Sequence, residues 1–287
     1  MKALSFGEIL WDVYPDTKAI GGASLNLAAH LAQLGCESYI ASAVGNDELG
    51  VEALNVIKKL NVKDDFIARL GDKKTGIVAV TLNERGVPAY EIKKDVAYDF
   101  IPAPISDEEN FNLLTFGTLA LRSEYNESSL SSLLSSRSFS EIYTDLNIRL
   151  PHSNKESSHF CLSHATIVKI SDEELPTVSD WIFKKDYAPE DFAKKTASEY
   201  PQIKLVIVTM GEKGSFAIDT KNGKIHRSAA IPTDVISTVG AGDSFGAAFL
   251  TKYFEGKPID ECLKFASRIS SFVCSKKEAV PELSEII

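Results

Sequence analysis

The chain has 287 residues, 44% of them hydrophobic and 25% charged, with a net charge of −9. That length can bury a large core, and the composition is that of a soluble globular protein rather than a disordered or fibrous one. The acidic balance argues against a nucleic-acid or anionic-membrane surface as the main partner. An anionic small ligand stays open, because backbone amides bind phosphate without a basic exterior. "MKALSFGEILWDV" lacks the apolar length of a signal peptide, and no run approaches the ~20 apolar residues of a membrane span. Cys36, Cys161, Cys262 and Cys274 are scattered, and the histidines form no His-Glu-x-x-His pattern. A protein-ligated zinc site is therefore not expected, and reduced thiols in a cytoplasm are.

In chain order, "ALSF" (3–6) reads as a first buried strand. Asp12 follows beside Trp11 in "GEILWDV", either to bind a diol through its carboxylate or as a solvated loop residue. "SLNLAAHLAQL" (24–34) reads as a helix, with apolar residues at 27, 28, 31 and 34 and Gly35 as its stop. Two glycines, Gly21 and Gly22, precede it. Asn26 on its exposed first turn suits sugar hydroxyls or serves as a surface cap. "SYIASA" (38–43) is the next strand. Residues 75–92 read as two strands around an Asn83-Glu84-Arg85-Gly86 turn, forming an edge of the main sheet or a small β flap. After "LLTF" (113–116), the serine-rich 126–141 carries Leu130, Leu133 and Leu134 at helical spacing and predicts a serine-faced surface helix. "IYTDL" (142–146), "TIVKI" (166–170) and "LVIVT" (205–209) are further strands. Thr209, Gly211 and Gly214 follow the last of them, as a turn against phosphates or as a plain hairpin.

In "STVGAGDSFGAAF" (237–249), small residues stand in front of Asp243 and a helix over roughly 243–255, with Phe245, Ala248, Phe249 and Phe254 facing the core. First-turn amides lack intrahelical acceptors and carry partial positive charge, so an anion could sit there; equally, Asp243 could be only a cap. The pattern is neither Gly-x-Gly-x-x-Gly nor a Walker A loop. A last helix, 258–273, opens with Pro258 at its first position. Alternating strands and helices predict an α/β fold with a mostly parallel sheet, helices on both faces, and ligand sites at the carboxyl ends of the strands. No domain boundary or internal repeat interrupts 1–287.

The order of these segments resembles the PfkB, or ribokinase-like, family of sugar kinases. "GGASLNLAAHLAQLGCESYIASAVGNDELG" (21–50) is similar to the family's N-terminal signature and "STVGAGDSFGAAF" to its C-terminal one. "DLNIR" (145–149), "VKISDEE" (168–174) and "VTMGEKGS" (208–215) are similar to blocks between them. "GEILWDVYP", "FGTLALR" and "DLNIR" look most like the fructokinase branch. The resemblance implies a ribokinase-like α/β fold with a β lid from about 10–20 and 73–100, closing over the sugar and in some members clasping a second subunit as a homodimer. It implies transfer of the γ-phosphoryl group of ATP to a sugar hydroxyl, with Mg²⁺. Asp243 would then be the base, ionised near neutral pH, in a catalytic turn that opens with Gly240 and whose Ala241, Gly242 and Asp243 amides form an anion hole. Asp12, Gly22 and Asn26 would hold the sugar, with Arg149 or Arg122 as ligands for any acidic group or as structural ion pairs. Thr209, Gly211, Gly214 and Thr238 would line the nucleotide, and Glu174 would act through the Mg²⁺ shell.

Three departures stand out. Ser171 occupies the place of the family's Asn before Glu174. Ser237 replaces an Asp that helps bind a monovalent cation, so weak potassium binding is expected. Glu278 stands where a Gly is common. Fructose is the expected substrate, a 2-keto-3-deoxygluconate kinase the nearest competing enzyme, and a catalytically silent sugar-binding protein the non-enzymatic rival.

Overall fold

The computed structural model of the chain describes residues 1–82, 88–104 and 110–287. Its elements run β1 (Lys2–Phe6), β2 (Leu10–Val13), β3 (Lys18–Gly21), α1 (Ala23–Gln33), β4 (Glu37–Gly45), α2 (Glu48–Lys59), β5 (Lys63–Leu70), β6 (Gly76–Leu82), β7 (Pro88–Ile92) and β8 (Leu113–Gly117). They continue with α3 (Glu124–Ser136), β9 (Glu141–Asp145), α4 (Lys155–His164), β10 (Ile167–Ser171), α5 (Leu175–Phe183), α6 (Pro189–Glu199) and β11 (Leu205–Thr209). β12 (Ser215–Asp219), β13 (Lys224–Ser228), α7 (Ala241–Phe254) and α8 (Ile259–Cys274) complete the chain. No helix among the described residues is long and apolar enough to cross a membrane.

The apolar runs become a nine-stranded sheet in the order β13-β12-β11-β10-β9-β8-β1-β4-β5. Every neighbouring pair from β5 to β11 is parallel. β12 and β13 turn back antiparallel at the edge. Side chains alternate between two covered faces, which is why the strands read as continuous apolar runs. Ile167, Leu205 and Ile207 share one cluster with Leu31 of α1, Phe249 of α7 and Leu263 of α8. Val168, Ile170, Val206 and Val208 share the opposite cluster with Leu130 of α3, Leu162 of α4 and Val178 of α5. Full burial of each such side chain contributes ~1.5–3 kcal/mol of transfer free energy.

α1, α7 and α8 agree with their spacing to within a residue or two, whereas α3 ends at Ser136, five residues before the expected 141. α1 buries Leu27, Ala28 and Leu31. It ends where the Cys36 N–H donates to the Leu31 carbonyl and the Gly35 N–H to that of Ala32, the paired bonds of a Schellman end. α3 buries Leu130 and Leu133 while Ser128, Ser132 and Ser135 face solvent. α8 starts one residue later than expected, with Pro258 as its cap.

β6 and β7 pair antiparallel, with Val78 opposite Ile92. They do not border the main sheet. They join β2 and β3 in a separate four-stranded sheet of order β3-β2-β6-β7. The expected turn at 83–86 lies outside the described residues. Strand order in the main sheet reverses at β1, which has β4 on one side and β8 on the other. Such a switch point opens a crevice at the carboxyl end of the strand.

Candidate active site

Asp243 stands in the first turn of α7, only 9% exposed. Gly240 makes the turn into that helix at φ +80°, and a Cβ there would lie 2.2 Å from the Ala279 carbonyl oxygen. No other residue fits this turn without displacing the C-terminal segment. The Ala241 amide closes back on the Thr238 carbonyl at 3.2 Å. The Gly242 and Asp243 amides meet no acceptor among the described residues, so they carry the helix's positive end.

Two expectations about this turn need correction. Asn26 is not on an exposed face: it is 5% exposed and donates through Nδ2 to Asp243 Oδ2 at 2.8 Å. Packing of α1 against α7 produces this, which helical periodicity within α1 alone does not reveal. Nor does the helix end keep Asp243 at an ordinary carboxylate pKa. Burial pushes it up to about 7; the Asn26 hydrogen bond and the Lys169 and Arg149 charges pull it down, while Asp145 pushes it further up. Desolvation of the carboxylate outweighs the nearby positive groups.

Three charged residues beside Asp243 escaped the sequence reading. Glu8, buried just past β1, accepts the Ala23 N–H at 2.8 Å, serving the opening amide of α1. Burial raises its pKa against the pull of the backbone hydrogen bonds. Gly22 is required here, since a Cβ would meet the Glu8 carbonyl oxygen at 2.4 Å. Asp145 and Lys169 sit opposite each other in the β9–β10 register, with Lys169 Nζ 2.6 Å from Asp145 Oδ2. Burial alone would lower the Lys169 pKa, but Asp145, Glu174 and Asp243 more than reverse that, so the ammonium is kept. The signal was present: "IVKI" puts a lysine inside a buried strand, where alternation calls for an apolar side chain. Glu8, Ser24, Thr115, Tyr143, Asp145 and Asp243 line a narrow, half-open cavity at the switch point.

The other predicted residues divide. Asp12, on β2, is half-buried, its pKa raised by burial and pulled down by Arg149. Arg149 is exposed, and its charge acts on Glu8, Asp12, Asp145 and Asp243 alike. Among the described residues its guanidinium makes no hydrogen bond or ion pair. Arg122 is held differently. Its Nε and Nη2 donate to the two Asp99 oxygens at 2.7 and 2.9 Å, and Nη2 donates to the Lys93 carbonyl at 2.6 Å. Glu174 accepts the Ile148 N–H at 2.6 Å and the Ser171 N–H at 2.9 Å, while the Ser171 hydroxyl accepts the Glu174 N–H at 3.3 Å. Ser171 thus closes the local turn. Thr209 stands next to Ser171 across the β10–β11 register. Gly211 and Gly214 lie in the β11–β12 hairpin, and among the described residues no hydrogen bond joins them to the start of α7.

A buried carboxylate at a positive helix end can take a proton from a hydroxyl while the amides hold an anion. Residues 6–286 match the model of the pfkB family carbohydrate kinases. The chain is 28% identical to a fructokinase from Solanum tuberosum over 308 residues, covering 98% of this chain and 92% of that one. It is 26% identical over 304 residues to a 5-dehydro-2-deoxygluconokinase from Listeria innocua, covering 100% and 91%. Its fold superposes with a TM-score of 0.84 on a fructokinase from Vibrio cholerae crystallised with fructose, ADP and calcium, at 23% identity and with 98% and 95% coverage. The chain belongs to the pfkB family of carbohydrate kinases, enzymes that phosphorylate sugars with ATP.

Proposed function

We propose that this kinase transfers the γ-phosphoryl group of ATP to a hydroxyl of fructose. The observation that carries the reading is Asp243, buried beside the free amides of Gly242 and Asp243 and oriented by Asn26. The sugar hydroxyl oxygen attacks the γ-phosphorus and its proton passes to the Asp243 carboxylate. The β–γ bridging bond breaks, with its electron pair leaving on ADP. The amides offset charge on the transferred group. Asp12, Gly22 and Asn26 hold the sugar at the mouth of the cavity. Thr209, Gly211, Gly214 and Thr238 flank the nucleotide, and exposed Ile231, Val235, Ile236 and Val239 offer apolar cover for its base.

Among the described residues no three His, Cys, Asp or Glu side chains cluster as a metal site. Mg²⁺ would be carried on the nucleotide phosphates, offsetting their charge, with Glu174 reaching its water shell. The β2–β3–β6–β7 sheet acts as a lid that excludes water from the transfer, and a second copy of the chain pairs through it.

One observation favours a second substrate class: the Arg149 guanidinium, unpaired among the described residues and acting on Asp12 and Asp243, suits a carboxylate. A coupled ADP-release assay across fructose, 2-keto-3-deoxygluconate, 5-dehydro-2-deoxygluconate, ribose and nucleosides separates the two. Fructose is expected to give the highest kcat/KM. Preference for an acid sugar would overturn it and make Arg149 the carboxylate ligand.

A further inference from the structure

Lys169 lies on the α7-facing side of β10, where Ile167 joins the α7 cluster, and it is 4% exposed. An ammonium has three donors. Here one of them meets Asp145 Oδ2 at 2.6 Å, and no other acceptor lies within hydrogen-bond distance among the described residues. The tip of the side chain is aimed at the start of α7: a Cβ on Gly242 would stand 3.2 Å from Nζ but 4.0 Å from Cε. Gly242 therefore admits the ammonium to the turn whose amides lack acceptors. A buried cation with spare donors beside two free amides is arranged for an anion, since leaving those donors unused in a low-dielectric site is costly.

We propose that Lys169 is a catalytic residue, whose ammonium donates to the transferred phosphoryl group from beneath α7 while Asp145 holds its third direction. The assignment rests on the kinase reading above. As the sugar oxygen attacks and its proton goes to Asp243, negative charge spreads over the equatorial phosphoryl oxygens. Lys169 stays an ammonium throughout, donating one N–H to Asp145 and another to one of those oxygens. Without Lys169, the two amides and the nucleotide's metal would face that charge alone. The position is specific to the transition state, so the effect belongs in kcat rather than in either KM.

The test compares Lys169→Met, Asp145→Asn and the double variant, which removes the ion pair without leaving a buried carboxylate unpaired. Thermal melts establish that each is folded. On the sugar that wild type phosphorylates best, Lys169→Met and the double variant are expected to lose kcat by roughly 100-fold or more, with both KM values nearly unchanged. Asp145→Asn, which retains the ammonium, is expected to lose much less. A second readout needs no turnover: binding of ADP with aluminium fluoride, a planar mimic of the phosphoryl group in flight, should weaken by a similar factor while ADP alone binds as before. A merely structural ion pair would leave that difference intact in the folded double variant, and a double variant with near wild-type kcat would overturn the assignment. Failure of wild type to phosphorylate any sugar would overturn the functional reading instead, and the ADP–aluminium fluoride arm would still decide the role of Lys169.

Discussion

At the scale of the residue, Asp243 makes opposite demands on activity and stability. Asp243→Ala is expected to lose turnover by roughly 10²–10⁴-fold, with ADP binding retained, as isothermal titration would show. In the proposed role as base the competent form is the carboxylate, and burial pushes its pKa up to about 7. The kcat/KM of wild type should therefore fall tenfold per pH unit below about 7 and level off above it. A profile flat down to pH 5.5 would exclude Asp243 as the base. The same shift bears on folding. The native pKa lies above the ordinary 3.8, so the stability this group contributes is complete below about pH 4 and is lost as pH rises through about 7. By then the loss is about 4 kcal/mol. Asp243→Asn keeps an acceptor for Asn26 and removes the charge, so its melting temperature at pH 8 should rise as activity disappears. A helix cap would behave the other way, losing ~1 kcal/mol. Arg122 offers a contrast. It and Asp99 are each 7% exposed in their side chains. Arg122→Ala strands a buried carboxylate and should cost about 3–5 kcal/mol of stability, with the sugar KM unchanged in the protein that remains folded.

At the scale of the element, three segments meet at Ala279. Its carbonyl accepts from His30 Nε2 of α1 at 3.0 Å and abuts Gly240 before α7. Gln33 extends the tie, donating to the Pro281 carbonyl at 3.1 Å and accepting the Leu283 N–H at 2.8 Å. The segment after α8 thereby fixes α1, with Asn26, against α7, with Asp243. Gly240→Ala adds a Cβ into that carbonyl and forces a left-handed alanine, which by itself costs about 1–2 kcal/mol. Both the melting temperature and kcat are expected to drop, because relief of the clash moves the amides proposed to hold the phosphoryl group. A stable, fully active Gly240→Ala protein would show that the C-terminal segment does not position the turn.

At the scale of the whole molecule, reversal of strand order at β1 brings together residues that are far apart in the chain. Glu8, Asn26, Asp145, Lys169 and Asp243 come from the first strand to the seventh helix, yet all reach the same end of the sheet. The 229–240 segment borders that end and carries Ser237, whose hydroxyl accepts the Val239 N–H at 3.2 Å. A neutral oxygen already in local use is a weak cation ligand. Exchanging potassium for a large inert cation at constant ionic strength should therefore leave turnover nearly unchanged, and saturable activation by potassium would count against this reading.

The sequence by itself determined most of the fold and one end of the site. Apolar runs give buried parallel strands because both faces are covered, and three-four spacing gives helices because one face is. The Gly-Ala-Gly-Asp turn pointed to α7 and to Asp243, since only small residues let an anion reach free amides. Such signals are local: each is set by a residue's own neighbours in the chain. Tertiary structure alone decided that Asn26 is buried against Asp243, that Arg122 belongs to Asp99, and that Lys169 and Asp145 lie under the start of α7. It also decided the ionisation of Asp243. A pKa depends on how much water is removed and which charges approach, and those are set by helices and strands that meet only when the sheet is assembled.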